Sequence, residues 1–236
     1  MSEEYKYPGS ELILFNQAVH WKKYFARYII PYIKGSVLEA GAGIGGNTAF
    51  LNDGSAPAWL MLDPDKNMAA TLEGFIQQKK YPPNCRSQKG TIADLDQHFD
   101  TIIYIDVLEH IETDVAEITK AADLLNPGGH IIVLAPAFQW LYSPFDKAIG
   151  HYRRYNRKML NKIKPKNMEC ISSRYYDSAG YFASIMNKVF LKQKYPSTRQ
   201  ILFWDNWLIP VSRVTDKIFF HGFGKSIITV WRKHVN

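Results

Sequence analysis

Acidic residues become scarce towards the end of this chain. From His151 onward there are only four, against 17 Lys and Arg, whereas up to Gly150 there are 18 acids against 12 bases. The formal net charge of +7 hides that asymmetry. So uneven a distribution argues for an anionic partner on the C-terminal side, with a plain solvated basic surface as the alternative. Cysteine is nearly missing as well. Cys85 and Cys170 stand at no metal-ligand spacing, which excludes a disulfide framework; no metal is expected, and a reduced, cytoplasmic protein is. No apolar run approaches the ~18 residues of a spanning helix; the nearest, 201–211, is broken by Asp205, Asn206 and Pro210. The first six residues carry no apolar run, so no signal peptide is expected. Repeats and low-complexity linkers are absent too, and 46% apolar with 22% charged residues suits a globular chain. One domain over 1–236 is expected, with segments at 1–35, 36–150 and 151–236.

What is present is periodic. Leu14, Ala18, Trp21, Phe25, Tyr28 and Tyr32 recur at spacings of three and four, predicting one face of an N-terminal helix that ends near Pro31 and Gly35. It reads as a packing helix, with a flap over a substrate as the other option. Apolar strands are expected at 36–40, 58–62, 85–89, 101–105 and 130–135. Val115, Ile118, Ala122 and Leu125 form a helical face between the last two, stopped by Asn126-Pro127-Gly128-Gly129. Strands separated by helices imply a buried, mostly parallel sheet with right-handed crossovers. Two more strands are expected at 168–176 and 226–232, flanking a partly helical insert rich in aromatics such as Tyr181, Phe190, Trp204, Trp207 and Phe220.

Residues 37–47 run from the first strand through a glycine-rich turn into a helix. Gly41 and Gly43 lack the Cβ atoms that would keep the backbone from a bound nucleotide, and Asn47 or Thr48 can cap the helix that follows. Asp63, at the end of the second strand, can accept both hydroxyls of a ribose; its alternative is to cap a turn before Pro64. Gly41, Gly43 and Gly46 also satisfy G-x-G-x-x-G, a pattern weak by itself. Glu39 would repel a pyrophosphate and attract an ammonium group, which favours a methionine-bearing cofactor over a dinucleotide.

These residues carry a resemblance. The segment 37–43 resembles the first motif of class I S-adenosylmethionine (SAM)-dependent methyltransferases, and Leu62-Asp63-Pro64-Asp65 their second-strand acid. Phe99-Asp100-Thr101-Ile102-Ile103 with Asp106-Val107-Leu108-Glu109-His110-Ile111 is similar to the fourth strand and its continuation. Leu125-Asn126-Pro127-Gly128-Gly129 is similar to the turn before the fifth. The resemblance implies an α/β, Rossmann-like, seven-stranded and mostly parallel sheet with helices on both faces, an N-terminal helix and a helical insert before the last strand. It implies SAM as cofactor. Glu39 and the backbone at Gly41 and Gly43 would hold its methionine part, Asp63 its ribose and Asp106 its methionine end; Asp106 can instead be a helix N-cap. The adenine partner stays open between backbone groups of Thr91 and Ile92 and the side chain of Asp94.

Methyl transfer needs donor, methyl and nucleophile in line, and a hydroxyl acceptor also needs a base. His151, beyond the fifth strand, is the expected base, with His110 the second candidate and either able to be purely structural. Tyr152, Arg153, Arg154 and Tyr155 are expected to bind the acceptor, the arginines through a phosphate or carboxylate. The run from Gly150 to Tyr155 resembles a segment of a bacterial subgroup, some of whose members are linked to cell-surface glycans. The expected function is methyl transfer to an O or N atom of a small or lipid-linked anionic acceptor, at an anionic membrane surface if peripheral. The alternatives are a nucleic-acid methyltransferase and a non-catalytic SAM-fold subunit. No oligomeric state follows from the sequence.

Overall fold

The computed structural model describes residues 11–188 and 195–235; Phe190 and the first six residues lie outside them. Five strands, β1 (Val37–Ala40), β2 (Trp59–Asp63), β3 (Cys85–Lys89), β4 (Phe99–Ile105) and β5 (Leu125–Pro136), run parallel, joined by α3 (Thr48–Leu51), α4 (Lys66–Gln77) and α5 (Asp114–Asp123). After α6 (Pro144–Ala148) and α7 (Arg157–Ile163) come β6 (Met168–Tyr176) and β7 (Ser226–Lys233), and β7 slots antiparallel between β5 and β6. The order β3-β2-β1-β4-β5-β7-β6 reverses direction at β1. The sheet is Rossmann-like, and a crevice must open where the chain leaves β1 and β4 in opposite senses.

The central strands are apolar on both faces because both faces are covered. Leu38, Ile102, Tyr104, Ile131 and Val133 join one buried cluster; their neighbours Val37, Ile103, Ile105, Ile132 and Leu134 join another on the opposite side. Burying each such aliphatic side chain contributes about 1.5–3 kcal/mol. The edge strand β3 departs from the apolar expectation: Arg86, Gln88 and Lys89 are exposed, as suits an edge that must not pair further.

Three local expectations change. The N-terminal helix is broken into α1 (Glu11–Phe15) and α2 (Val19–Ile29). Asp205, far along the chain, accepts the N–H groups of His20 (3.0 Å) and Trp21 (2.8 Å) and so caps the first turn of α2. Residues 126–129 are not what stops the helix, which has ended at Asp123. Leu125 pairs with Phe99 and His130 with Thr101, so those four residues bulge out of a continuing β5. In α5, Ile118, Ala121 and Ala122 face inward, Val115 is exposed, and Leu125 has already entered β5.

The insert forms α8 (Ser178–Met186), α9 (Thr198–Phe203), a π-helical turn over Trp204–Leu208 and α10 (Ile209–Ile218). Its few acids are spent internally. Asp177 accepts from the Trp204 indole (2.7 Å), the Ser212 hydroxyl (2.7 Å) and the Gly180 N–H (2.8 Å). Asp216 takes the Tyr24 hydroxyl and the N–H groups of Asp177 and Ser178, each at 2.8 Å. Asp205 caps α2 and meets the His20 ring (3.2 Å), and Glu169 pairs with Arg232.

Candidate active site

A cleft of about 500 Å³ opens at the carboxyl ends of the parallel strands. Its floor begins at Gly41, where φ is +67° and an added Cβ would strike Val107, and continues through Gly43 at φ +58°. Both conformations favour glycine. The Gly43 N–H donates to Asp63 Oδ2 (2.7 Å) and the Asp65 N–H to Oδ1 (2.9 Å). Burial raises the Asp63 carboxyl above its usual value despite those two bonds. Thr91 and Ile92 line the same end. Asp94 does not, because its carboxylate is taken by the Thr91 N–H (2.7 Å) and hydroxyl (2.9 Å).

Glu39 sits beneath this floor rather than in it. Its Oε2 accepts from the Thr48 hydroxyl (2.7 Å) and the Trp59 indole (3.0 Å), and burial pushes its carboxyl up to about 7. Neither Asn47 nor Thr48 caps α3 through its side chain; the Thr48 hydroxyl is spent on Glu39. Asp106 has φ +52° and caps no helix, since α5 begins only at Asp114. Its side chain opens into the cleft. Enclosure by protein pushes that carboxyl up to about 6.

The N-terminal segment both packs and covers. Phe15, Trp21 and Phe25 line the cleft beside Lys22, whose ammonium donates to the Asn16 carbonyl (3.1 Å) and side-chain oxygen (2.6 Å). Burial pulls Lys22 down to about 8, against the attraction of Asp205 and Glu39.

The far end of the cleft is built around Asp146. Ser143 and Asp146 form a capping box at the start of α6. Asp146 Oδ1 also meets His151 Nδ1 (2.9 Å) and Arg154 Nε (2.7 Å), and Oδ2 meets Arg154 Nη2 (3.0 Å). Burial opposes ionisation, yet the His151 bond and the Arg154 guanidinium hold this carboxyl well below the usual range. An ionised Asp146 can only accept, so Nδ1 of His151 carries the proton and Nε2 faces away. That nitrogen lies 3.7 Å from Glu109 Oε1. The His110 ring meets His151 edge-on, with centroids 4.5 Å apart; burial and His151 pull His110 down to about 3, so it is neutral. Burial, then Asp106, push the Glu109 carboxyl well above its ordinary value.

Of the four residues expected on the acceptor, Arg154 lines the cleft and three do not. Arg153 holds Asp114 (2.7 Å) and the Glu112 carbonyl (2.8 Å). Tyr155 is buried, with its hydroxyl on Asp114 (2.8 Å) and the Leu108 carbonyl (3.1 Å). Tyr152 is half exposed outside the cleft. The structure adds Asp146, Lys22, Trp204 and Lys225. The Ser-x-x-Asp spacing could have revealed Asp146. Nothing in the sequence marks Lys225, whose ammonium lies 4.2 Å from the Trp204 ring centroid.

An open α/β sheet with a glycine-floored cleft and a strand-end acid defines a nucleotide-cofactor enzyme class. More particularly, residues 15–188 match the methyltransferase domain family, and the chain belongs to it. It is a SAM-dependent methyltransferase, and SAM is its methyl donor. No curated protein matches the chain by sequence. Among solved structures, the N-methyltransferase NodS from Bradyrhizobium japonicum, in complex with S-adenosyl-L-homocysteine, is similar at 12% identity and TM-score 0.57, covering 92% of this chain and 88% of that one. The YcgJ protein from Bacillus subtilis is similar at 17% identity and TM-score 0.57, covering 92% and 99%. The [4+2]-cyclase SpnF reaches TM-score 0.63 at 12% identity, covering 91% and 81%. Such likenesses show the fold alone, and the cyclase shows that the reaction must be argued from the site.

Proposed function

We propose that the chain methylates an O or N atom of a small or lipid-linked anionic acceptor. The observation that carries this is the polarity of the cleft, glycine backbone and Asp63 at one end, Arg154, Lys225 and the two histidines at the other. The donor end fits SAM. The Gly41–Gly43 backbone leaves room for it, Asp63 keeps lone pairs free for ribose hydroxyls, and Thr91 and Ile92 border the adenine. Asp106 faces the methionine end, while Glu39 acts through Thr48 and the turn above it. Bound SAM supplies an electrophilic methyl on a sulfonium; the chain's own task is alignment and removal of the acceptor's proton. Arg154 and Lys225 would hold the acceptor's anionic group. Proton removal depends on His151, fixed by Asp146, with His110 beside it.

The insert supports a membrane surface as partner. Phe203, Trp207, Val211, Val214 and Ile218 follow one another at four- and three-residue steps along α9–α10, each at least half exposed, and Phe220 beyond them is 89% exposed. Arg199, Arg213 and Lys217 accompany them. An apolar stripe flanked by bases suits an anionic bilayer interface, and its aliphatic members offer no stacking platform for nucleic-acid bases. No helix among the described residues is long and apolar enough to cross a membrane.

Calorimetry with SAM and with NAD, followed by methyl transfer from labelled SAM to phosphorylated and carboxylated acceptors and their uncharged analogues, tests the proposal. SAM binding with preference for the anionic acceptors is expected. Tight NAD binding without SAM binding, or a preference for uncharged acceptors, overturns it.

A further inference from the structure

We infer that Glu109, His110 and His151 form a divalent-cation site at the acceptor end of the cleft. The inference rests on the proposed acceptor end and says how that end activates its substrate. It departs from the expectation of no metal, which was drawn from cysteine spacing and could not register ligands 42 residues apart in the chain.

One potential ligand atom from each of the three residues lies within 4.8 Å of the other two. Both oxygens of Glu109 are buried and have no hydrogen-bond partner, although Glu109 itself is 0% exposed. Buried carboxylates are almost always satisfied, so such an orphan asks for an occupant. The 3.7 Å between Glu109 Oε1 and His151 Nε2 is too long for a hydrogen bond. It is within the span of two ligands each about 2.0–2.2 Å from one ion.

The surroundings are those of a metal site. Asp146 holds Nδ1 of His151 (2.9 Å) and so turns Nε2 towards Glu109. His110 makes a backbone hydrogen bond with Gly150, which orients its ring. Metal-bound histidines are held in this manner, one nitrogen on the ion and the other on a carboxylate or carbonyl. Asp106, Asp146, Arg154 and Lys225 surround the cluster. Glu109, His110 and His151 all line the cleft, and three protein ligands leave coordination positions for water or substrate.

Two imidazoles and one carboxylate suit zinc, manganese, iron or cobalt better than calcium. A cation there lowers the pKa of an acceptor hydroxyl in its open position, so the proton passes to solvent before the methyl is transferred. Under this reading His151 serves proton removal as a ligand, and Asp146 as the residue that positions it.

The test strips the full chain with a chelator and titrates it with Zn²⁺, Mn²⁺ or Co²⁺ alone, reading stoichiometry by calorimetry and, for cobalt, the visible ligand-field bands. One ion per chain is expected, with affinity falling at least 10-fold in Glu109→Gln and in His151→Ala and the cobalt bands altered in both. Glu109→Gln keeps the shape of the side chain and should melt no lower than the parent, which separates lost ligation from lost folding. SAM binding by the stripped protein is measured in parallel. Absence of binding by the parent chain, or binding that neither substitution weakens, overturns the inference; retained SAM binding in that case leaves the methyltransferase reading standing. Metal binding without SAM binding would support the site and sink the donor-end assignment instead.

Discussion

The two ends of the cleft satisfy their acids in opposite ways. At the donor end Asp63 takes two backbone N–H groups, Gly43 from the turn after β1 and Asp65 from its own turn, and Glu39 takes a hydroxyl and an indole. At the acceptor end Asp146 is saturated, while the buried oxygens of Glu109, 3.7 Å from His151 Nε2 at the nearest, make no hydrogen bond of normal length. A backbone-built site is finished before any ligand arrives. A side-chain-built site with a buried orphan is finished only by what binds there.

The largest effect expected from breaking that contrast is at His151. His151→Ala should lower turnover by ~100-fold and leave SAM affinity nearly unchanged, measured by initial rates beside calorimetry. Equal loss of SAM binding would show that the two ends are not separate. Next comes Asp63→Ala, which should weaken SAM by about 2 kcal/mol through the loss of charge-assisted bonds to ribose; unchanged affinity in the same titration would remove Asp63 from the donor end.

The same contrast decides what could be read from the sequence. The donor end lies in short local motifs, so Glu39, Gly41, Gly43, Asp63, Thr91, Ile92 and Asp106 could be listed together, and all but Glu39 line the cleft. Strand positions were equally legible: 85–89 and 168–176 coincide with β3 and β6, because the turns that bound a strand are local signals even where, as in β3, the strand itself is polar. The acceptor end is different in kind. Glu109, His151, Arg154 and Lys225 meet only once β4, β5 and β7 are side by side. The segment from Tyr152 to Tyr155 misled because an extended chain sends successive side chains to different sides: Arg153 to Asp114, Arg154 to the cleft, Tyr155 to the core. The break between α1 and α2 depends on Asp205, 185 residues from His20, which no window along the chain can contain.

A smaller effect concerns pH. The Glu39 carboxyl is pushed from 4.5 up to about 7 in the fold, so the native state binds a proton that the unfolded chain releases sooner. That contribution is complete below about 4.5 and is lost as pH rises through about 7. The parent should therefore lose ~1–3 kcal/mol more than Glu39→Gln between pH 5 and 8, measured by urea unfolding at each pH. A parallel pH dependence in both chains would mean that Glu39 stays ionised. SAM affinity should move little in Glu39→Gln, since the carboxylate faces Thr48 and Trp59 and lies beneath the cleft floor.

The smallest effect lies on the outer side of the acceptor end. Trp204 lines the cleft and Trp207, one turn on, is 68% exposed, so a single helical stretch joins the acceptor end to the apolar stripe. If that stripe meets a bilayer, anionic vesicles should sediment the protein and neutral ones should not. Each basic residue near such a surface contributes about 1 kcal/mol, and salt screens the attraction. Trp207→Ser should reduce vesicle binding by roughly 5-fold or more through lost apolar burial, at unchanged SAM affinity and unchanged turnover on a water-soluble acceptor. Lys217→Ala should reduce it by a comparable factor at low salt and by little at high salt. The two variants thus separate the apolar from the electrostatic part of one surface. Equal binding to neutral and anionic vesicles, or to duplex nucleic acid as strongly as to either, would detach the stripe from a membrane and leave the acceptor end to be judged on Arg154 and Lys225 alone.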